Sequence, residues 1–488
     1  MVNYKKNRSL PVFKLVSLQV SLKAQSKEWF KLEHWRMPRK LKWYIVIAII
    51  VVMLISVFAF LPEKSVAPSN LISEKTDDST SSQEELAPEP QEPTEPSIID
   101  TLTDLAKPIL EIFQKTPGIK DAHTINGTVW MKVAENAWAY YEPGSGVDPD
   151  TGLPYTNNLH CTYFTDWDLG SYIQAIIDAQ EIGLIMYDGA WGSVDRIDKV
   201  LTFLENRPLN QYGYPFQFYE AKTGLEYHST LYDDEIFGIS DTGRLFVALN
   251  NLRTLNDAFA PRVNNIVLNG RSNYTALVPN ILNYVNSRST YAYYTSSGFA
   301  SFWPQQLEAV PSTILSNILN SENLTSYGVS LPTAQICCEP LLSSLFELDN
   351  GDSLRLMGLV NQVYLACKAY YDATGKYIAP SEGYNGTTWV YEWVVAPNGE
   401  PWRVTDFWFH PLENARPVVR YKVAFSFLAL FNTTFARNMV VWLEDALYEP
   451  MNGYPDGVDS QGVRYERLSS IANTLILDAA RYALHKEA

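Results

Sequence analysis

Cysteine and histidine are scarce in this chain, with 4 and 6 among 488 residues, and that scarcity removes whole classes of chemistry. Cys161, Cys337, Cys338 and Cys367 are too few for a disulfide framework, and their spacing suits no zinc site. One bridge is possible, but adjacent Cys337 and Cys338 could hardly bridge each other without strain. There is no glycine-rich phosphate loop, no H-E-x-x-H and no Gly-x-Ser-x-Gly elbow. Asp148-x-Asp150-x-Gly152 begins like a calcium loop but lacks the distal glutamate, so a solvated turn is expected. No metal and no cofactor is therefore expected. Positive charge is also short: 38 Lys and Arg face 54 Asp and Glu, a net charge of −16.

That charge is unevenly spread. Residues 1–42 hold eleven Lys/Arg against two acids, and residues 43–61 hold no charge, so residues 62–488 carry the whole acidic excess. An acidic body repels phosphate backbones, which excludes nucleic acid as its partner. Residues 43–61, WYIVIAIIVVMLISVFAFL, are long enough to span a bilayer as a helix at ~1.5 Å per residue. Trp43 and Tyr44 mark the headgroup level, and the basic flank is expected to stay in the cytoplasm. Val57 and Ala59 would suit a signal-peptide cleavage site, but the 42-residue basic lead argues for an uncleaved signal anchor. The expected location is the cell membrane, single-pass, with the main domain extracytoplasmic. Residues 62–97, with nine acids, two bases and six prolines, read as a disordered extended linker.

Residues 98–488 read as one helix-rich domain. Leu169, Tyr172, Ile173, Ile176 and Ile177 form one helical stripe. Ile197, Val200, Leu201 and Leu204 form a second, and Leu245, Ala248, Leu249, Leu252 and Leu255 a third. A fourth runs through Leu468, Ile471, Ala472, Leu475, Ala479 and Tyr482. Val423 to Phe431 is apolar all round, as a helix walled in by others would be. About twelve helices are expected, starting near residues 100, 129, 167, 193, 241, 261, 307, 339, 353, 414, 436 and 466. Thr151-Gly152-Leu153 recurs as Thr223-Gly224-Leu225, which suggests repeated loop chemistry between helical hairpins. One β element stands out: Thr388 to Val395 alternates, with Trp389, Tyr391, Trp393 and Val395 on one face, before an Asn398-Gly399 turn. Asn126, Asn273, Asn323, Asn385 and Asn432 begin Asn-x-Ser/Thr sequons, which permit glycosylation and no more.

What the loops do offer is carboxylates beside aromatics. Aromatic faces cover the C–H side of a sugar, and two carboxyls astride a glycosidic bond can protonate the leaving oxygen and activate water. Asp166 and Asp168 flank Trp167 at a helix start, where Thr165-x-x-Asp168 also approximates a capping box. Asp241 opens another stripe, where an acid complements the helix dipole. Glu339 stands before Pro340, a natural first helical residue, at a cap position that Ser or Asp would fill better. Glu382 sits in a loop with no helix close behind it. Glu220, beside the Thr223-Gly224 turn, is a weaker candidate.

These residues carry a resemblance. The chain resembles the domain-of-unknown-function 3131 family, which is similar to glucoamylase-like six-hairpin glycosidases. It does so through Thr165-Asp166-Trp167-Asp168-Leu169-Gly170-Ser171-Tyr172, Asp241-Thr242-Gly243-Arg244-Leu245, Glu339-Pro340, Ser381-Glu382, Lys422-Val423-Ala424-Phe425 and Asn473-Thr474-Leu475-Ile476-Leu477. It departs at Gly453-Tyr454-Pro455-Asp456-Gly457, where a glutamate is expected in place of Asp456. The resemblance implies a mainly all-α fold, an (α/α)6 toroid with a small β-hairpin, and a site at the loop end of the inner helices. It gathers Glu339, Asp168, Glu382 and Asp241 as catalytic candidates, with Glu339 as general acid and Asp168 or Glu382 as base. Asp166, Trp167, Glu220, Trp389 and Lys422 become sugar-binding candidates, and inversion is implied, with carboxyls roughly 6.5–9.5 Å apart. The expected function is a glycoside hydrolase acting on cell-surface or environmental glycan. The alternatives are a non-catalytic glycan-binding or envelope-scaffold protein and, less favoured, a polysaccharide lyase using Tyr and His.

Overall fold

The computed structural model describes residues 118–487 apart from 159–160, 229–237, 387 and 447–451. The basic segment, the apolar span, the acidic linker and the helix expected near residue 100 lie outside the described residues. Among the described residues no helix is long and apolar enough to cross a membrane.

Helix α1 (Gly127–Trp138) starts where the Asn126 side chain accepts from the Val129 N–H. Strand β1 (Tyr163–Phe164) leads into α2 (Asp166–Glu181), then α3 (Ser193–Asn206), β2 (Tyr219–Glu220) and α4 (Ile239–Leu255). Short α5 (Ala260–Asn264) and α6 (Val278–Leu282) precede α7 (Thr290–Ala300), α8 (Pro304–Leu307) and α9 (Ala309–Leu319). A hairpin, β3 (Asn323–Ser326) and β4 (Val329–Pro332), leads to α10 (Cys338–Glu347) and α11 (Ser353–Thr374). Strands β5 (Gly383–Asn385), β6 (Thr388–Val395) and β7 (Pro401–Thr405) form one antiparallel sheet. Strand β8 (Val418–Arg420), α12 (Tyr421–Phe431), α13 (Thr434–Asp445), β9 (Pro455–Asp459), β10 (Arg464–Leu468) and α14 (Ser470–Glu487) complete the order.

Helices α2, α4, α7, α10, α12 and α14 touch in that sequence, and α14 returns to α2. The inner ring is therefore closed. Outside it, α1 packs on α14, α3 on α2, α5 on α4, α9 on α7, α11 on α10 and α13 on α12. This is the expected toroid of helical hairpins. The four stripes face its core, Leu255 excepted at 37% exposure, and Tyr421 to Leu430 of α12 is buried on every side.

Three inner helices approach closely through glycines. A Cβ on Gly170 of α2 would lie 2.9 Å from Leu245 Cα of α4, and one on Gly243 of α4 would lie 2.7 Å from Thr295 Cα of α7. One on Gly298 would strike the Gly243 carbonyl. Gly170 and Gly243 fall inside the residue blocks that carry the family resemblance, and the steric reason is backbone-to-backbone contact between neighbours in the ring.

Several boundaries moved. Helix α12 begins at Tyr421 and not near 414, and α14 at Ser470 and not near 466, because β8 and β10 pair with β9 in a three-stranded sheet. Helix α7 was not foreseen: its sequence, TYAYYTSSGFA, has no aliphatic stripe, and it is held by burial of its tyrosines, threonines and serines. Strand β6 pairs on both edges, and its burial becomes two-sided from Glu392 onward, so the strict one-faced alternation fails there. The Asn398-Gly399 turn closes as read, with Gly399 at φ +80° and the Ala396 N–H donating to the Glu400 carbonyl at 2.9 Å.

The recurring turns are alike in detail. Leu153 N–H donates to Thr151 Oγ1 and Leu225 N–H to Thr223 Oγ1, each at 3.2 Å, and Gly152 and Gly224 both have positive φ. Asp148 closes the first turn by accepting from the Asp150 and Thr151 amides. All four cysteines are free thiols, so the single bridge that the sequence permits does not form. Of the sequons, Asn126, Asn273, Asn323 and Asn432 are exposed, whereas Asn385 donates to the Arg416 carbonyl and accepts from Tyr465.

Gly243→Ala is expected to destabilise the domain by about 1–3 kcal/mol, since neither backbone can yield without displacing a helix of the ring. Urea unfolding of the two proteins checks it. An unchanged midpoint would show that the close approach is not constrained.

Candidate active site

The inner helices deliver their first turns to one end of the ring. Helix α2 brings Asp166, Trp167 and Asp168, α4 brings Asp241, α7 brings Tyr291 and Tyr294, α10 brings Glu339, α12 brings Lys422 and α14 brings Ser470. Unsatisfied N–H groups and the positive ends of the helix dipoles favour negative charge there. Four chain-distant acids, Asp168, Asp241, Glu339 and Glu382, meet in this cluster: Asp241 feels the charges of Asp166 and Asp168, and Glu382 feels those of Glu339 and Asp241.

Glu339 is gripped from two sides. The Trp167 indole N–H donates to its Oε1 at 2.9 Å, and Lys422 pairs with its Oε2. Helices α2 and α10 stand opposite each other in the ring, so the Trp167–Glu339 bond spans its diameter. Lys422 is buried at a helix N-terminus, where a cation is disfavoured. Removing either partner would strand a buried charge.

Glu382 reaches the cluster from the loop before β5. Ser381 beside it accepts the Glu339 N–H at 3.2 Å, which joins loop to helix. Arg420 locks the strand that follows, donating to the Tyr384 carbonyl at 2.7 Å and to Glu392 at 2.6 Å. Asp456, the residue of the departing loop, accepts from the Tyr384 N–H at 2.9 Å and from Ser469. It braces the Glu382 strand. Glu382 Oε1 has no hydrogen-bond partner. Burial, and then the Glu339 charge, push its carboxyl well above the usual range, with Lys422 opposing.

Asp241 is partly exposed and accepts from Gln217 Nε2 at 2.7 Å. Burial, then Asp166, raise its pKa to about 7. Asp168 is enclosed. Its oxygens accept from Thr156 at 2.8 Å, the Thr165 N–H at 3.0 Å and Ser470 at 2.5 Å, and Thr165 and Asp168 form a full capping box. Burial pushes this carboxyl up against those donors.

The sugar-binding candidates divide. Asp166 is taken up by Arg207, which contacts both its oxygens at 2.5 and 3.3 Å. Glu220 accepts from Thr223 at 2.8 Å and serves its turn. Trp389 is half-buried, packs against the patch of Trp167, Val247, Tyr294 and Ile471, and meets Tyr384 edge-on at 5.1 Å. The sequence reading missed Tyr291, Tyr294, Gln217 and Ser470. The i, i+3 tyrosine pair is the signal that could have found the first two. Beneath the cluster lies a second polar layer, where Arg244 pairs with Glu347 and Tyr294 donates to Glu347 at 2.7 Å.

A family model described as a protein of unknown function, DUF3131, matches residues 132–486. No curated protein matches the chain. Among solved structures, the endo-β-1,2-glucanase of Chitinophaga pinensis, in complex with sophorotriose and glucose, is similar with a TM-score of 0.52 and 14% identity. That match covers 74% of this chain and 95% of that one. The endo-β-1,2-glucanase of Talaromyces funiculosus, in complex with sophorose, gives 0.51 and 10% identity over 76% and 90% of the two chains. A glucoamylase-like protein of Bacteroides caccae gives 0.52 and 15% over 74% and 94%. At these identities the likeness is one of fold: the six-hairpin glycosidase toroid.

Asp241 binds its proton more tightly in the folded protein, at about 7, than an unfolded aspartate does at about 3.9. Its contribution to stability therefore falls as pH rises between those values. Asp241→Asn removes that loss, so the variant should gain in melting temperature over wild type at pH 8 and much less at pH 4. Thermal scans at both values check this, and a gain independent of pH would contradict it.

Proposed function

The chain belongs to the DUF3131 family, and from that premise we propose that it is a glycoside hydrolase cleaving a neutral glycan by carboxyl acid/base chemistry. The observation that carries the reading is the convergence of Asp241, Glu339 and Glu382 at the loop end of a closed toroid, where burial raises the carboxyls of Asp241 and Glu382. Asp241 is the proton donor. It is the most accessible of the four acids, and a pKa of about 7 leaves it largely protonated below neutrality. It gives its proton to the glycosidic oxygen as the bond to the anomeric carbon breaks. The Glu339–Glu382 pair, with its carboxylate held by Lys422 and Trp167, takes the proton of the attacking water. Glu339 thus moves from the general-acid role expected of it, because both its oxygens already accept from donors. Asp168 and Asp166 position α2, and Trp167 and Trp389 offer ring faces to sugar.

The glucanase neighbours make β-1,2-glucan the first substrate to test. We further propose that residues 43–61 anchor the protein in the cell membrane as a single pass, the helical domain facing outward, which protease protection of intact cells or inverted vesicles would check. The second reading, a glycan-binding protein without turnover, draws on the full hydrogen-bonding of Asp168 and the ion pairing of Glu339. A lyase needs a Tyr or His base, but burial pushes the Tyr291 and Tyr294 hydroxyls well above the usual phenol range, and among the described residues His123, His228, His410 and His485 are exposed.

Wild type is expected to hydrolyse one member of a panel of β-1,2-, β-1,3- and α-1,4-glucans with inversion at the anomeric carbon, followed by NMR, and to lose activity as pH rises through about 7. Asp241→Asn should lower kcat/KM by roughly 10²–10⁴ while glycan binding is retained. Binding without turnover by wild type would favour the second reading, and full activity of Asp241→Asn would remove Asp241 from the chemistry.

A further inference from the structure

One group of side chains lies outside the acid cluster yet connects to it. Residues 406–410, Asp-Phe-Trp-Phe-His, follow β7 and raise three adjacent aromatics to the surface: Phe407, Trp408 and Phe409 are 39%, 61% and 52% exposed. Burial of aromatic area is favourable, so three such rings side by side on a charged surface need a reason.

The turn is built and not merely loose. Asp406 Oδ1 accepts from the Trp408 N–H at 2.8 Å and the His410 N–H at 2.9 Å, and its carbonyl accepts from the Phe409 N–H at 3.1 Å. Phe409 is held at φ +63°, a left-handed conformation that a bulky side chain adopts only when its surroundings impose it. The strain orients the ring: Phe409 lies 5.4 Å from Tyr391 and 5.9 Å from Trp393 between centroids.

From there ring contacts run inward without a break. Tyr391 and Trp393 each lie 5.9 Å from Tyr291, and Tyr291 lies 6.0 Å from Trp167, the ring that donates to Glu339. Outward, Phe407 meets Trp408 at 5.4 Å. Arg403 pairs with Glu400 and Glu413, and His410 lies 3.2 Å from Asp406 in the turn itself, so the acids around the rings outnumber the one arginine. A surface of flat rings edged by an excess of acid suits the C–H faces of neutral sugars and repels a uronate.

We propose that Phe407, Trp408 and Phe409 form a distal glycan platform that holds neutral sugar units of a long chain away from the acids. The ring track through Tyr391 and Tyr291 connects the platform to the candidate active site. This assignment rests on the hydrolase reading for its substrate class, but its test reads binding and not turnover.

Wild type and Trp408→Ala are compared by affinity electrophoresis in gels containing soluble linear β-1,2-, β-1,3- or α-1,4-glucan, and by calorimetry with the matching trisaccharides. Trp408 is exposed, so the variant should fold. Expected is an about tenfold weaker affinity for the polymer that wild type retains, with trisaccharide affinity unchanged and Trp408→Phe restoring most of the loss. Equal polymer binding by wild type and Trp408→Ala would overturn the platform, as would an equal loss on trisaccharide or a wild type that binds none of the polymers. Polymer binding that depends on Trp408 in a protein that cleaves nothing would keep the platform and remove the hydrolase.

Discussion

Six helix N-termini aimed at one end of a closed ring impose the constraint from which the rest of this domain follows. Each terminus carries unpaired N–H groups and a fraction of positive charge. The first turns of α2, α4 and α10 hold acids there, and Glu382 joins them from the loop before β5. The closure depends on backbone contact at Gly170, Gly243 and Gly298, without which neighbouring first turns would splay.

The same geometry makes the acids unequal. Asp168 and Asp166 are surrounded by donors and an arginine, so they hold the scaffold. Glu339 is divided between an indole and an ammonium. Glu382 is left with one oxygen unpaired beside that charge, and Asp241 keeps a partial opening to solvent. The partners that surround each acid separate these roles. Lys422 illustrates the cost: a cation placed against a helix dipole persists only because Glu339 compensates it, and stability alone would be served as well by a buried apolar pair.

Much of this was legible in the sequence, for reasons that differ by element. The aliphatic stripes of α2, α3, α4 and α14 carried the helical period, and the all-apolar run of α12 announced a helix with no free face. Helix α7 was hidden because tyrosine and serine supply its burial, which periodicity in aliphatics cannot detect. Strands β8 and β10 were absorbed into helix starts because three to five residues beside a helix leave no pattern of their own. Within the site, the acids were found as loop and cap residues, but their partners were not. Nothing local in the chain tells that Arg207 will occupy Asp166, or that Asp456, where a glutamate was expected, will brace the strand behind Glu382.

The bond from Trp167 to Glu339 crosses the ring from one side to the other, and Arg244 with Glu347 fills the axis below it. The toroid is therefore a bowl with a floor and not a tunnel. On the hydrolase reading, a long sugar chain would not be threaded through the middle to the far side. It would lie across the end that holds the acids and leave on the side from which it arrived.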